Sequence, residues 1–544
     1  MKKIILSIVF TVVFIAGCNE DFLEYYPTDR VEDSQAFSTP ENAMAVLYGI
    51  YDLITSETLY GSFLSVTNDL RGNDVFLAEQ LNWSWWVETY NFQWVASNTN
   101  FRGPASFWEF LYQVIENCNV AINADLPWGD AQNNAYLAEI KTIRAWAYYG
   151  LVTLYCQPYL KDAGESPGVP LYTVSDPNIT KGRGKVKEVY TLMKQDLDDA
   201  IAGLPALDGA SGSKRISKCF ANGLAARVAL SKGDYNAGLA YAQAAIDDAP
   251  PLNTNAEDYV LGFSHANEES ILIDPFNSDD YPIYWGLTSF YDHPEGYGNL
   301  FLNTDFVSKY ASDDIRRGWF ITPLFFNLNN SGVNSFFKDY ISDLYHFEGY
   351  LAESFDEVEF YTADGGTIDP ETMFYPDYSD SWTFYRPGHI SLYGKFPRMD
   401  AVPGQNPGSV GLAQPTLMRT SELILIKAEC LARKASPDFA AAQDALFQIQ
   451  HRASAGAVKS VKTGTALISE ILLERRKELV GEGFAAVDLL RTGSPLNRPD
   501  VAGPDWSTYL TLPAYDWKMI YPIPEAELDA NEALSDADQN EGYN

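Results

Sequence analysis

Twice in this chain two alanine-rich helical segments follow one another across a short turn. That pairing restricts the possible folds more than any other feature. Residues 217–232 turn at Gly233-Asp234-Tyr235 into 237–248, and residues 420–433 turn at Ser436-Pro437-Asp438 into 439–452. Ala225, Ala229, Ala240 and Ala244 in the first pair, and Ala428, Ala432, Ala441 and Ala445 in the second, stand where two helices must approach closely. Such a hairpin cannot bury its apolar faces alone and needs stacked neighbours, as in tetratricopeptide-like arrays. The remaining periodicity agrees. Thr39-Pro40-Glu41 predicts a helix start, with a capping hydroxyl, proline at the first position and an early carboxylate, running to about residue 53. Further helices are predicted over 107–124, 132–155, from Val186 onward and over 464–480. In the second of these Ile140, Ile143, Ala147, Leu151 and Leu154 share one face.

Two stretches break the pattern. Residues 59–100 are irregular, and residues 250–415 are rich in Gly, Pro, Tyr, Phe and Asp without a long amphipathic run. Within the second, 357–361 and 367–374 flank Ala363-Asp364-Gly365-Gly366 and predict a β-hairpin. These stretches read as elaborations over a helical frame (about 36–250 and 416–490), the usual place for function. Gly182-Arg183-Gly184 is too short to be a phosphate cradle, because no strand precedes it as a dinucleotide fold requires.

The densest aromatic run lies in the first irregular stretch. Residues 82–94 gather Trp83, Trp85, Trp86, Tyr90, Phe92 and Trp94 with one charge, Glu88. If extended, Trp83 and Trp85 point one way and Trp86, Tyr90, Phe92 and Trp94 the other. Exposed rings would mark a binding surface, and buried ones would fill a core. The preferred wet pair is Trp94 with Trp86.

Charge excludes one class of ligand. Lys and Arg number 38 against 73 Asp and Glu, a net charge of −35, which repels phosphate backbones and anionic headgroups and argues against nucleic acid. The N-terminus predicts export. Met1-Lys2-Lys3 is a basic start, residues 4–15 are apolar but too short to span a bilayer, and Ile15-Ala16-Gly17-Cys18 resembles a bacterial lipobox. Residues 1–17 are thus expected to be a lipoprotein signal peptide, with Cys18 lipidated and 18–544 forming one domain on the outside of that anchor. Cys118, Cys156, Cys219 and Cys430 sit in helix-like stretches without framework spacing and are expected to be buried free thiols. No spacing suggests a metal site or a cofactor.

Several segments, in order, carry a resemblance to the SusD/RagB family of surface glycan-binding lipoproteins. They are Cys18 with Asp21-Phe22-Leu23-Glu24; Ile143-Arg144-Ala145-Trp146-Ala147-Tyr148-Tyr149; and Arg419-Thr420-Ser421-Glu422-Leu423 with Lys427-Ala428-Glu429. Further on come Glu474-Arg475-Arg476-Lys477-Glu478-Leu479 with Glu482-Gly483 and Asp488-Leu489, then Tyr521-Pro522-Ile523-Pro524 and Gln539-Asn540-Glu541-Gly542-Tyr543. Ala485 stands where the family commonly has arginine, which puts a local ion pair in doubt. Arg475 shares a helical face with Ile468, Ile471, Leu472 and Leu479 and needs a partner: Glu478, or Glu422, Glu429 or Asp488 across helices. Arg144 is read the same way, as structural.

The resemblance implies a mostly α fold, with a right-handed scaffold of tetratricopeptide-like hairpins and irregular loops with short β-hairpins on the ligand face. It implies a non-catalytic protein that binds oligosaccharides and passes them to a SusC-like TonB-dependent outer-membrane transporter. The ligand region it implies contains Asp69, Arg71, Asn73, Trp83, Trp85, Trp86, Trp94 and Asn98 from the first irregular stretch. From the second it contains Tyr284, Trp285, Tyr291 and Trp319, with Trp382 and Tyr385 as outsiders. Rings stack on the CH-rich face of a sugar, and carboxylates, amides and arginine bind its hydroxyls. Two alternatives are a peptide-capturing lid of a peptide importer, which would want backbone-pairing edges, and a glycoside hydrolase, which would want two facing carboxylates. Pairs such as Asp279/Asp280 or Asp313/Asp314 carry no signal for the latter, and the five histidines lack triad context.

Overall fold

Residues 36–77, 85–260, 267–273, 285–291, 299–320, 415–499 and 510–543, with short pieces at 263, 297, 360–361, 367–368, 390, 392 and 394–396, are described in a computed structural model of the chain. The long helices are α1 (Pro40–Thr55), α2 (Phe63–Leu70), α3 (Pro104–Asn123), α4 (Asp130–Tyr155), α5 (Val186–Gly203), α6 (Lys218–Lys232) and α7 (Tyr235–Ile246). After the irregular insertion come α8 (Thr420–Arg433), α9 (Phe439–Ala453), α10 (Gly464–Leu479) and α11 (Ala485–Thr492). Their starts follow the local chemistry. Thr39 accepts the Asn42 N–H at 3.3 Å ahead of Pro40, and Ser217 accepts the Phe220 N–H at 3.3 Å ahead of α6.

Most of the long helices pack on a neighbour in the chain, α3 on α4, α4 on α5, α5 on α6, α6 on α7 and α8 on α9, while α1 packs on α3 and α2 on α11. The two halves, separated by the 173 residues that lie between Ile246 and Thr420, meet because α7 lies directly against α8. Small residues permit that approach, with one change of phase from the sequence reading. Ala225, Ala229, Ala428, Ala432 and Ala445 are buried as expected, but Ala240 and Ala244 are exposed and Ala441 is half-buried. The inner face of α7 is Gly238, Ala242 and Ala245 instead, and a methyl on Gly238 would stand 2.9 Å from the Cys430 sulfur. Alanine on every side of α7 leaves periodicity unable to choose a face.

The strands come in two-residue to four-residue antiparallel pairs. β1 (Val75–Leu77) pairs β3 (Leu300–Leu302), and β2 (Ser270–Ile273) pairs β6 (Thr416–Arg419), so each ties the insertion to the frame. β4 (Phe360–Tyr361) pairs β5 (Thr367–Ile368), inside the predicted hairpin, and β7 (Leu496–Asn497) pairs β8 (Thr511–Leu512). The extended reading of 82–94 is overturned among its described residues. Trp86 and Phe92 adopt left-handed φ of 68° and 55°, and a single helical turn, Val87–Tyr90, lies between them. Face alternation therefore does not apply.

Buried charge holds the frame together. Arg316, Arg419, Arg452, Lys395 and Lys477 interlock with Glu269, Asp314, Glu474, Glu478 and Glu482, five cations against five carboxylates. Arg475 does take a cross-helix partner, Asp488 at 2.8 Å, with Glu422 at 3.8 Å. Glu478 is not its partner, because Arg316, Arg419 and Arg452 surround that carboxylate from the other side. Arg144 binds Asp196 through two N–H groups at 2.8 and 2.6 Å. Gly72 leaves room for Ala485, whose Cβ a methyl on residue 72 would overlap. Arg183 of the Gly-Arg-Gly motif clasps the C-terminal segment through the Asp538 carbonyl at 2.6 Å and the Asn540 amide at 2.9 Å. Cys118, Cys156, Cys219 and Cys430 are free and buried. No helix among the described residues is long and apolar enough to cross a membrane.

Candidate functional site

Among the described residues a contiguous aromatic surface lies open on a buried floor of rings. Phe63 at the start of α2, Trp86 and Phe290 meet edge-on, with Phe63–Trp86 centroids 5.3 Å apart, Trp86–Phe290 5.5 Å and Phe63–Phe290 6.0 Å. All three are buried. Four rings lie over them. Phe101 and Trp285 are 42% and 38% exposed, which marks them out among large apolar side chains, and their centroids are 5.7 Å apart. Trp85 and Tyr297, half-buried, lie 4.5 Å apart, and Trp85 meets Phe101 edge-on at 5.7 Å.

Local chemistry sets Phe101 outward. Residues 95–103 form a loop in which the Asn98 amide oxygen accepts the Asn100 N–H at 2.8 Å and the Asn100 amide oxygen accepts the Arg102 N–H at 3.2 Å. The loop returns over Trp94, whose indole N–H donates to Thr89 Oγ1 at 3.2 Å. Gly103 closes it: a Cβ there would stand 2.6 Å from Trp94 Cζ3, so only glycine fits against that ring. From the other side the Glu525 N–H donates to the Ala96 carbonyl at 3.0 Å.

Arg102 belongs to the same surface. Its guanidinium carbon lies 3.8 Å from the Trp85 centroid and 4.6 Å from that of Phe101. The residue is 7% exposed, and neither Nε nor Nη1 has a hydrogen-bond partner. Burial pulls its pKa down to about 10, partly offset by Glu88, so it is a full cation at neutral pH.

The residues expected at the site divide sharply. Trp85 and Trp285 stand on the open platform, and Asn98 orders the loop beside it. Trp86, Trp94, Tyr291 and Trp319 are sealed in the interior, so the preferred wet pair, Trp94 with Trp86, is corrected: both support the platform from beneath or beside. Tyr291 stacks on Phe396 at 5.4 Å, and Trp319 carries the Lys395 ammonium 4.5 Å from its ring. Asp69, Arg71 and Asn73 are turned to the C-terminal part of the chain. Asp69 accepts the N–H groups of Gly483 and Ala485 at 3.1 and 3.4 Å, and burial raises its pKa to about 7. Arg71 donates to the Met519 carbonyl and lies 4.7 Å from the Tyr521 centroid, and Asn73 accepts the Asn497 N–H at 2.7 Å. Asp69 and Arg71, buried with such partners, have no surface to give a sugar, and the half-buried Asn73 is engaged by the Asn497 main chain. Trp83, Tyr284, Trp382, Tyr385 and Cys18 lie outside the described residues. Phe101, Arg102 and Tyr297 were missed. The signal for the first two was the pair of Asx-forming asparagines running into Gly103-Pro104, a loop that must present whatever lies between.

A groove of about 690 Å³ lined by Phe37, Val120, Asn123, Leu126, Pro127 and Val174 opens at the C-terminal end of α3. The platform lies at the other end of that 20-residue helix, roughly 30 Å away. The groove has volume but no exposed ring, so the stacking surface is the better candidate for a sugar. No cluster of three or more His, Cys, Asp or Glu side chains suited to a metal occurs among the described residues.

Comparison with known proteins gives two matching family models. The SusD family model matches residues 303–543, and a SusD-like model described as starch-binding associating with outer membrane matches residues 21–230. The SusD-like protein P2 of Formosa agariphila is 26% identical, with 100% of both chains covered. A SusD superfamily protein from Bacteroides thetaiotaomicron has the same fold, with a TM-score of 0.71 at 23% identity, covering 92% of this chain and 99% of that one. A solved laminarin-binding SusD-like protein superposes with a TM-score of 0.63 at 22% identity, covering 93% and 100%.

Proposed function

Because the chain belongs to the SusD family, we propose that it is an outer-membrane lipoprotein that captures oligosaccharides at the cell surface on the Phe101–Trp285–Trp85–Tyr297 platform. Anchored through Cys18, it hands them without catalysis to a TonB-dependent transporter. The observation that carries this reading is the contiguous open aromatic surface. Its two most exposed rings adjoin each other on a rigid floor, so the stacking geometry exists before a ligand arrives. The laminarin-binding relative supports a glycan as ligand.

Titration of the mature protein against a panel of oligosaccharides tests it. Phe101→Ala and Trp285→Ala are each expected to weaken binding by about tenfold or more, roughly 1.4 kcal/mol per ring. Trp319→Ala, buried and in contact with Tyr259 and Lys395 instead of the platform rings, should act on stability alone. If no glycan binds, or if binding is indifferent to both platform changes, the assignment fails. Turnover of a glycan by pure protein would overturn the non-catalytic reading.

A further inference from the structure

The reading of the platform as a glycan site leaves Arg102 without an explanation, and the other buried arginines show how unusual it is. Arg144, Arg227, Arg316, Arg419, Arg475 and Arg491 each hold a carboxylate within ion-pair distance. Arg71 and Arg498 donate to main-chain carbonyls. Among the described residues Arg102 has neither. Its Nε and Nη1 are buried and meet no acceptor there, although the chain carries 73 acidic residues against 38 basic ones. Glu88, the acidic group that acts on it, stands beyond ion-pair distance and has an unpartnered buried oxygen of its own. Leaving guanidinium donors buried and unmatched is strongly unfavourable, and such groups mark places where something outside the chain completes the set.

The surroundings favour a negative charge. The guanidinium lies between the half-buried Trp85 and the exposed Phe101, at the edge of the stacking surface. Two residues on, α3 begins, and its N-cap Gly103 supplies no side chain to the first N–H groups of a 20-residue helix. The positive end of that helix dipole adds to Arg102.

We propose that the oligosaccharide taken up on this platform is anionic, carrying a carboxylate or a sulfate ester that Arg102 receives while the neighbouring rings stack on the sugar. A guanidinium matches either group in two-point geometry and binds it more strongly in a poorly hydrated site than it binds a hydroxyl. The overall charge of −35 would otherwise repel such a ligand, so Arg102 supplies the local attraction that discrimination needs.

Calorimetric titration with matched pairs tests the proposal. One pair is oligogalacturonides against their methyl esters, and the other is sulfated galactan oligosaccharides against the desulfated forms. The anionic member of one pair is expected to bind at least about tenfold tighter than its neutral counterpart, and the pair that responds distinguishes carboxylate from sulfate. Arg102→Gln should collapse that ratio toward one, and Arg102→Lys should retain part of it. Equal binding of charged and neutral members by the wild type, or an undiminished ratio in Arg102→Gln, overturns the proposal. If Arg102→Gln does not fold by circular dichroism, the wild-type ratio and Arg102→Lys decide. Binding of neutral glycans alone removes the anionic reading and leaves the platform standing. Absence of binding in both pairs, and to neutral glycans generally, removes both.

Discussion

Glu478 is the pivot of the buried charge network, and replacing it by glutamine is the sharpest test of how the frame holds together. Its carboxylate is fully buried and accepts from Arg419 at 2.6 Å, Arg316 at 2.9 Å, Arg452 at 2.5 Å and the Tyr259 hydroxyl at 2.9 Å. Burial by itself would raise its pKa, but the three guanidinium groups hold it well below the usual carboxylate range. Glu478→Gln keeps the shape and removes one negative charge, which turns five cations and five carboxylates into a buried excess of one positive charge. The new NH2 group also points donors at donors. Breaking a buried pair in this way costs about 3–5 kcal/mol. With an unfolding entropy of about 2.1 cal/mol/K per residue, a chain of this length has roughly 1.1 kcal/mol/K, so the melting temperature should fall by about 3–5 °C. Scanning calorimetry reads this directly. Lys459→Ala, which breaks the exposed Lys459–Asp444 pair, is the control and should shift melting by less than about 1 °C. Adding Arg452→Gln to Glu478→Gln restores neutrality, and the double variant should be less destabilised than the sum of the singles by about 1 kcal/mol or more. A Glu478→Gln protein that melts within about 1 °C of wild type, or strictly additive singles, would refute the charge-balance argument.

Three other outcomes are expected. Asp69, with its pKa raised by burial to about 7, holds a proton between pH ~4 and ~7 that the unfolded chain has released, so its contribution to stability falls as pH rises through that window and is constant above it. Asp69→Asn should therefore gain on wild type from pH 5 to pH 7 by up to about 1.4 kcal/mol per pH unit in urea unfolding, and parallel profiles would count against this. Gly103→Ala drives a methyl into the Trp94 ring and should destabilise by about 1–3 kcal/mol while weakening glycan binding through the displaced Phe101 loop, measured by melting and titration together. Cys18→Ala should move the protein from the membrane to the soluble fraction and abolish palmitate labelling in cells; unchanged fractionation would reject the anchor.

The sequence by itself determined most of the long helices and where they begin, because capping groups, prolines and apolar spacing act within a few residues of one another: Thr39, Ser217 and Thr420 stand at or beside helix starts as read, whereas α2 lies in a stretch read as irregular and α11 was not read at all. It also determined that Arg144 and Arg475 must be paired, since a cation on an apolar face has no other stable state. It did not determine which acid pairs with which base. Glu478 was within reach of Arg475 along α10 but serves Arg316, Arg419 and Arg452, and Glu269, Asp314 and Lys395 come from an insertion with no periodicity to register them. The face of α7 was equally undetermined, since alanine occurs on every side and only the approach of α8 selects Gly238, Ala242 and Ala245. The aromatic run was legible as important but not in orientation. Left-handed turns at Trp86 and Phe92 cancel the alternation that a strand would have imposed. What puts Trp85 at the surface and Trp94 inside is the return of the 95–103 loop over Trp94 and the arrival of Trp285 and Tyr297 from nearly two hundred residues away. Ring exposure is a property of what packs on the other side, and that was decided only when distant segments met.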